Sequence, residues 1–162
     1  MTIKIYTTGG TIDKIYFDQK SEYHVGDPQV QGVLERANVV VDFEVAELFR
    51  KDSLDIEEAD RQVIRKAVEK DPSSQVIITH GTDTMVTTAK ALLGIPGKTI
   101  VLTGSMFPAQ YRDSDSVFNL GCALIGVQTL PPGVYIAING RIFDPEKAVK
   151  NVECNRFEVI DA

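Results

Sequence analysis

The sequence predicts an α/β fold in which helices cover both faces of a parallel β-sheet. Short, nearly continuously apolar runs alternate along the chain with segments whose apolar residues recur at helical spacing. Such runs are typical of strands that are buried on both faces, as in parallel sheets. No internal repeat or low-complexity tract interrupts the alternation, and 162 residues suffice for one domain with its own core. We therefore expect a single domain over residues 1–162.

Each predicted element follows from a local pattern. Strands are expected at residues 3–7, 39–43 with an extension towards 48, 76–79, 99–102 and 134–138. Helices are expected at residues 30–37, 59–68, 85–93 and 117–125. Asp55 followed by Glu58 resembles a capping box that would open the second helix, and Asp71-Pro72 would end it. The tail, residues 141–162, is weakly patterned, and a turn signal within it predicts a hairpin or a short extension.

Composition excludes several classes of function. The 17 Lys and Arg residues are outnumbered by 23 Asp and Glu, so the net charge is −6 and no basic excess favours nucleic acid or an acidic membrane surface. No apolar run approaches the roughly 20 residues of a spanning helix, and the N-terminus leaves no room for a signal peptide. Cys122 and Cys154 give no disulfide framework, and His24 and His80 have no ligand cluster around them. We expect a cytoplasmic protein that uses neither a metal nor another cofactor.

Small polar residues and glycines gather where the predicted strands end. In parallel sheets ligands bind beyond the carboxyl ends of the strands. Three of these ends, residues 7–11, 80–84 and 103–106, are rich in Gly, Thr and Ser. Such residues also make good turns and helix caps, but three such segments at one edge favour a binding site.

The first of these segments suits a hydroxyl nucleophile. Thr11 follows two glycines, so a substrate carbonyl could approach it and backbone N–H groups could stabilise an oxyanion. A phosphate cradle is less well supported, because the segment lacks a P-loop lysine and the spacing of a dinucleotide fingerprint. No Ser-His-Asp arrangement is evident, and we expect His80 to pack structurally.

These motifs resemble the bacterial-type asparaginase/glutaminase family. The resemblance rests on Thr8-Gly9-Gly10-Thr11-Ile12, on His80-Gly81-Thr82-Asp83-Thr84 and on Gly104-Ser105-Met106 followed by Pro108. Residues 23–26, 52–56 and 116–120 also match the family, so the resemblance covers essentially the whole chain. It implies the three-layer, flavodoxin/Rossmann-like N-terminal catalytic domain without the second, smaller domain of the family. It also implies that residues 14–27 form a mobile lid loop.

The implied reaction is hydrolysis of the side-chain amide of L-asparagine to L-aspartate and ammonia through an acyl-threonine. By similarity Thr11 is the primary nucleophile, and Tyr23 polarises it and closes over the substrate. Thr82 lies on the other side of the amide, helps to activate the attacking group and contributes to the oxyanion hole. Asp83 holds the substrate α-ammonium and belongs to the same proton network.

The resemblance also implies the groups that bind the substrate. The hydroxyl of Ser53 and neighbouring N–H groups would take the α-carboxylate, while Gly10, Gly81 and Ser105 would line the pocket. Leu54 departs from the family pattern, because it stands where a polar substrate contact is usual.

The lysine of the family is the larger departure. It partners the equivalents of Thr82 and Asp83 and is expected in the helix after the third loop, but the matching residues 126–130 contain no lysine. Either another amine substitutes for it, such as Lys14 or a lysine of the tail, or the triad of this lysine with Thr82 and Asp83 is broken.

Three hypotheses therefore stand: a short asparaginase, a non-catalytic amino-acid or small-molecule binding module of the same fold, and a nucleotide-binding flavodoxin-like domain. The retained Thr11, Thr82 and Asp83 favour the first, and the missing P-loop lysine disfavours the third. Members of the family assemble as dimers of dimers, so we expect a homo-oligomer, a dimer or a tetramer, acting on a small amino-acid amide. The sequence does not distinguish asparagine from glutamine, from D-asparagine or from a larger β-aspartyl amide.

Overall fold

The computed structural model describes residues 1–160, which contain ten strands and four helices. The strands are β1 (Ile3–Gly9), β2 (Lys14–Phe17), β3 (Glu22–Val25), β4 (Phe43–Lys51), β5 (Gln75–Thr79), β6 (Thr99–Thr103), β7 (Gly133–Ile138), β8 (Arg141–Phe143), β9 (Ala148–Asn151) and β10 (Arg156–Val159). The helices are α1 (Val30–Arg36), α2 (Glu58–Lys70), α3 (Met85–Ala91) and α4 (Ser116–Thr129).

Six of the strands form the central sheet, in the order β4-β1-β5-β6-β7-β8. The five neighbouring strands β4, β1, β5, β6 and β7 are parallel to one another, and β8 pairs with β7 in the antiparallel direction. Strands β2 and β3 form a separate hairpin, as do β9 and β10. Within residues 1–160 no helix is long and apolar enough to cross a membrane.

The side chains of the central strands alternate between two cores, one on each face of the sheet. On β5, Val76 and Ile78 pack into the core that α2 and α3 cover, whereas Ile77 packs into the core that α1 and α4 cover. All three are fully or almost fully buried. This burial on both faces explains why the central strands are continuously apolar, and the expected three-layer α/β fold is confirmed.

One predicted strand is wrong. The run 39–43 is β-branched, but the strand begins only at Phe43 and continues to Lys51. Asn38 adopts a positive φ of 54°, and the N–H of Val39 donates to the carbonyl of Leu34, so the run first closes the end of α1. Val40 is 91% exposed, which a central strand residue would not be.

Two other local predictions need correction. The capping box of α2 is formed by Glu57 and Asp60 instead of Asp55 and Glu58, because the N-cap lies two residues later than expected. The segment predicted as a lid loop, residues 14–27, contains the β2–β3 hairpin. The tail contains the β9–β10 hairpin, preceded by β8 in the central sheet, while residues 161–162 of the predicted extension lie outside the described residues.

Candidate active site

The ends of β1 and β5 bring the first two sequence motifs into contact. The two strands are neighbours, with Thr7 paired to Thr79. Gly10 has a φ of +88°, and a Cβ at that position would lie 2.6 Å from the Cα of Gly81. Only glycine tolerates both the conformation and the contact. Thr11 and Thr82, each one residue beyond this contact, therefore lie at the same rim of the sheet.

Thr82 and Asp83 share one cation. The ammonium of Lys150, on β9, donates to Thr82 Oγ1 at 2.8 Å and to Asp83 Oδ1 at 2.7 Å. The Lys150 side chain is only 14% exposed and Thr82 is 5% exposed, so these bonds are partly withdrawn from water. Charge-assisted hydrogen bonds of this kind are stronger than neutral ones. The group therefore forms a fixed Thr-Asp-Lys constellation.

Ser53 packs directly against the same segment. It is 1% exposed, and its hydroxyl accepts a hydrogen bond from the N–H of Asp83 at 3.2 Å. Its carbonyl accepts from the Thr84 hydroxyl at 2.7 Å. A Cβ at Gly81 would lie 2.7 Å from Ser53 Oγ, so this glycine is required for the close approach. The exposed neighbour Leu54 donates its N–H to the Asp52 carboxylate at 3.2 Å.

The third loop is held by a residue that the sequence analysis did not single out. Asp115 accepts hydrogen bonds from the N–H groups of Met106 and Phe107, at 2.9 and 3.0 Å. Ser105 is 1% exposed, and its hydroxyl donates to the carbonyl of Phe107. In this structure Ser105 therefore shapes the loop. The sequence signal that could have found Asp115 is its position directly before the apolar run of α4.

Tyr23 lies among aromatic side chains at the rim of the site. Its hydroxyl contacts the hydroxyl of Tyr111, in the loop before α4. Among the described residues Thr11 and Tyr23 form no hydrogen bond with each other. The Tyr23 ring also packs at 5.4 Å from Tyr16 and 6.1 Å from Tyr111, centroid to centroid. Tyr23 is thus held at the rim, by aromatic neighbours, with about half of its surface exposed.

The family profile "Asparaginase, N-terminal" matches residues 2–162. The chain belongs to the asparaginase family. This finding confirms the resemblance drawn from the three motifs.

Relatives of the asparaginase family cover the chain almost completely. An L-asparaginase of Thermococcus kodakarensis (strain ATCC BAA-918 / JCM 12380 / KOD1) is 33% identical over 171 residues, which include 99% of this chain and 52% of the relative. The chain therefore spans about half the length of the curated relative that it matches.

Solved asparaginases share the fold. The thermostable L-asparaginase from Thermococcus kodakarensis superimposes with a TM-score of 0.83 at 27% identity, over 98% of this chain and 51% of that one. L-asparaginase I from Vibrio cholerae O1 biovar eltor str. N16961 gives 0.81 at 29% identity, with 98% and 51% covered. A probable cytoplasmic L-asparaginase from Campylobacter jejuni gives 0.75 at 27% identity, with 92% and 48% covered.

The missing lysine of the asparaginase pattern is the main correction at the site. The resemblance implied a lysine in the helix after the third loop, which has none, and the amine beside Thr82 and Asp83 is instead Lys150 on β9, one of the tail lysines that the sequence left open as a substitute. Lys14, the other amine considered, forms an ion pair with Asp52 at 2.7 Å instead. The tail has two lysines, Lys147 and Lys150, and nothing in the sequence marks Lys150 as the one that folds back.

His80 has no free nitrogen in this asparaginase-like site. It is fully buried, and Nδ1 lies 2.7 Å from the carbonyl of Gly81 while Nε2 lies 2.8 Å from the Thr88 hydroxyl. A carbonyl only accepts, so Nδ1 carries the proton and Nε2 accepts from Thr88. Burial lowers the pKa of His80 to about 4, because it disfavours the charged ring. His80 is therefore a neutral packing residue at neutral pH.

No metal site accompanies these residues. Within residues 1–160 no group of three or more His, Cys, Asp or Glu side chains is arranged to hold a metal ion.

Proposed function

We propose that this chain hydrolyses the side-chain amide of L-asparagine to L-aspartate and ammonia. The observation that carries the proposal is the Lys150 ammonium within hydrogen-bond distance of both Thr82 and Asp83, beside the rim that holds Thr11. Membership of the asparaginase family and the fold shared with solved L-asparaginases support it.

Thr11 is the nucleophile in this proposal. Its Oγ attacks the amide carbon, the hydroxyl proton passes to the departing nitrogen, and ammonia leaves as the acyl-threonine ester forms. Water then attacks the ester carbon and gives its proton back to Thr11 Oγ, which releases aspartate. A threonine is a weak nucleophile at neutral pH, so it needs a nearby proton acceptor. Tyr23 relays the proton once its hydroxyl moves from Tyr111 to Thr11: its oxygen accepts the Thr11 hydrogen while its own hydrogen passes on towards the departing nitrogen.

Thr82 and Lys150 act from the opposite side of the amide. Because the ammonium of Lys150 donates to Thr82 Oγ1, the hydrogen of the Thr82 hydroxyl is left to point into the cleft. There it donates to the oxygen of the tetrahedral intermediate or orients the attacking water. A preorganised donor of this kind stabilises charge that develops only in the transition state.

The two charges of the substrate amino acid have matching anchors. The carboxylate of Asp83 binds the α-ammonium, and Ser53 with the N–H groups of its turn binds the α-carboxylate. Gly10 and Gly81 leave room beside these groups, since neither carries a side chain. The Asp83 side chain is 40% exposed, and a second copy of the chain, in a dimer or a tetramer, would shelter it.

Ammonia release from L-asparagine by the purified chain tests the proposal. Thr11→Ala should abolish turnover, and Lys150→Met should lower it at least about 100-fold, because the Thr82 hydroxyl loses the ammonium that orients it. Lys147→Met is the matched control, since Lys147 is an exposed lysine of the same tail, and its turnover should equal that of the unchanged protein.

Two results would contradict the proposal. Equal ammonia release by the unchanged protein and Thr11→Ala would remove Thr11 as nucleophile. Binding of L-asparagine measured by calorimetry, with no ammonia released, would favour the amino-acid binding module instead.

A further inference from the structure

Asp13 lies where the β2–β3 hairpin leaves the central sheet and returns to it. Its N–H donates to the carbonyl of Gly10 at 3.1 Å, within the turn that carries Thr11. Its own carbonyl accepts from the N–H of Gly26 at 2.8 Å, directly after the hairpin. Its carboxyl Oδ1 accepts from the N–H of Gln29 at 2.9 Å, at the start of α1. One residue therefore joins three segments.

We propose that Asp13 is a positioning residue that anchors the base of the hairpin to the Thr11 turn, and that ionisation of its carboxyl loosens this anchor. The inference rests on the proposed function in one respect, since the hairpin matters for catalysis through Tyr23. Asp13 itself touches no reacting atom.

The hairpin depends on this anchor because it has little support of its own. It has only four residue pairs, from Lys14–Val25 at the base to Phe17–Glu22 at the tip. A hairpin of two short strands is marginally stable in water unless it packs on something else. The bonds of Asp13 lie directly below the first pair, so they fix the direction in which the hairpin leaves the sheet.

The carboxyl of Asp13 is almost completely removed from solvent. Asp13 is 1% exposed. Of the charged groups that face it from β4, Glu47 opposes its ionisation and Arg50 favours it. The guanidinium of Arg50 already forms ion pairs with Glu47, at 3.0 Å, and with Asp27, at 2.7 Å. Directly before α1, the backbone N–H of Gln29 donates to it.

Burial sets the direction of the pH response. Desolvation, which is the largest effect, raises the pKa of Asp13 from 3.8 to about 7. The closed, dry arrangement therefore prefers the neutral carboxyl. As the pH rises through 7, the carboxylate gains more by becoming hydrated, which requires the base of the hairpin to open.

Linkage gives the size of the response. If the opened carboxyl has its ordinary pKa of 3.8 and the closed one a pKa of about 7, the opening constant rises about tenfold between about pH 6 and pH 8. Below pH 6 the closed carboxyl is protonated, and the opening constant falls further until about pH 4.

Hydrogen exchange of the hairpin amides tests the anchor without requiring turnover. In the unchanged chain, the protection factors of residues 14–25, corrected for the intrinsic effect of pH, should fall about tenfold from about pH 6 to pH 8. Asp13→Asn retains an oxygen acceptor for Gln29 but cannot ionise, so its hairpin protection should not change over this range. Asp13→Ala loses the bond to Gln29 and should reduce hairpin protection at both pH values.

Glu22→Gln is the matched control, because it removes an exposed carboxylate from the same hairpin. It should keep the pH response of the unchanged chain. Equal responses in the unchanged chain and Asp13→Asn, or a pH-independent hairpin in both, would overturn the proposal.

Turnover then separates a positioning role from general stability. If Asp13 acts through Tyr23, the effect of Asp13→Ala on kcat should largely vanish in a Tyr23→Phe background, whereas additive effects would contradict that route. If the chain releases no ammonia at all, the proposed function fails, and the exchange experiment still decides the anchor.

Discussion

The two sides of the cleft are built in opposite ways. The side that carries Thr82 and Asp83 is held from several elements, by the buried Ser53 before α2 and by Lys150 of the tail hairpin. The side that carries Tyr23 is a two-stranded hairpin whose aromatic rings are about half exposed. A group that must be preorganised for charge development is thus fixed on the sheet, and a group that must admit substrate is placed on a small, separate hairpin.

Removing the Thr82 hydroxyl should cause the largest loss on the fixed side. Thr82→Val is nearly isosteric, but it leaves Lys150 with only Asp83 as a hydrogen-bond partner and removes the Thr82 hydroxyl donor from the site. We expect kcat for L-asparagine to fall by about 100-fold to 10,000-fold, with little change in the thermal unfolding midpoint. Steady-state kinetics and calorimetry check both. A midpoint that falls sharply alongside kcat would mean that Thr82 is mainly structural.

The two tyrosines at the rim should respond in opposite directions. Tyr23→Phe removes the proposed acceptor for the Thr11 proton, so kcat should fall by about 10-fold or more. Tyr111→Phe keeps the ring beside Phe107 but releases the Tyr23 hydroxyl from its present partner. One neutral hydrogen bond is worth about 1 kcal/mol, so kcat/KM should rise by up to about fivefold.

Kinetics of the two single variants decide between the alternatives. A decrease in both would mean that the Tyr23–Tyr111 contact belongs to the active arrangement. No change in either would remove the hairpin from the mechanism.

The same contrast explains which parts of the site the sequence predicts. Thr11, Thr82 and Asp83 follow strands that are recognisable from their apolar runs, and parallel topology alone carries such strand ends to one rim. Lys150 is 67 residues from Asp83 in the chain, and its position depends on how the tail hairpin packs. Packing over such a separation has no local signature, so the sequence left Lys14 and the tail lysines open as the source of the amine.

The misplaced strand has a related cause. The run 39–43 has the composition of a strand, but its first residues are used to close α1 and its apolar side chains pack onto the sheet from a connecting segment. The apolar character of Val39 and Val41 agrees with their partial burial in the structure. It does not indicate which backbone groups they pair with. The hydrogen bonds of the preceding helix decided the boundary of β4.

The smallest effect on turnover is expected at His80, where the fixed side has a titratable group that does no chemistry. Its pKa is lowered from 6.5 to about 4 by burial, so the folded state binds its proton less readily than the unfolded chain. Stability from this residue is therefore fully present above about pH 6.5 and is lost as the pH falls towards 4, by on the order of 3 kcal/mol. His80→Gln, which keeps a donor and an acceptor, should show a smaller loss of unfolding free energy between these pH values, while His24→Gln on the hairpin should behave like the unchanged chain. Denaturant unfolding at several pH values measures this difference.

At neutral pH kcat should stay within about threefold for His80→Gln, since the neutral ring only holds Gly81 and Thr88 in place. A loss as large as that of Thr82→Val would instead make His80 part of the catalytic machinery.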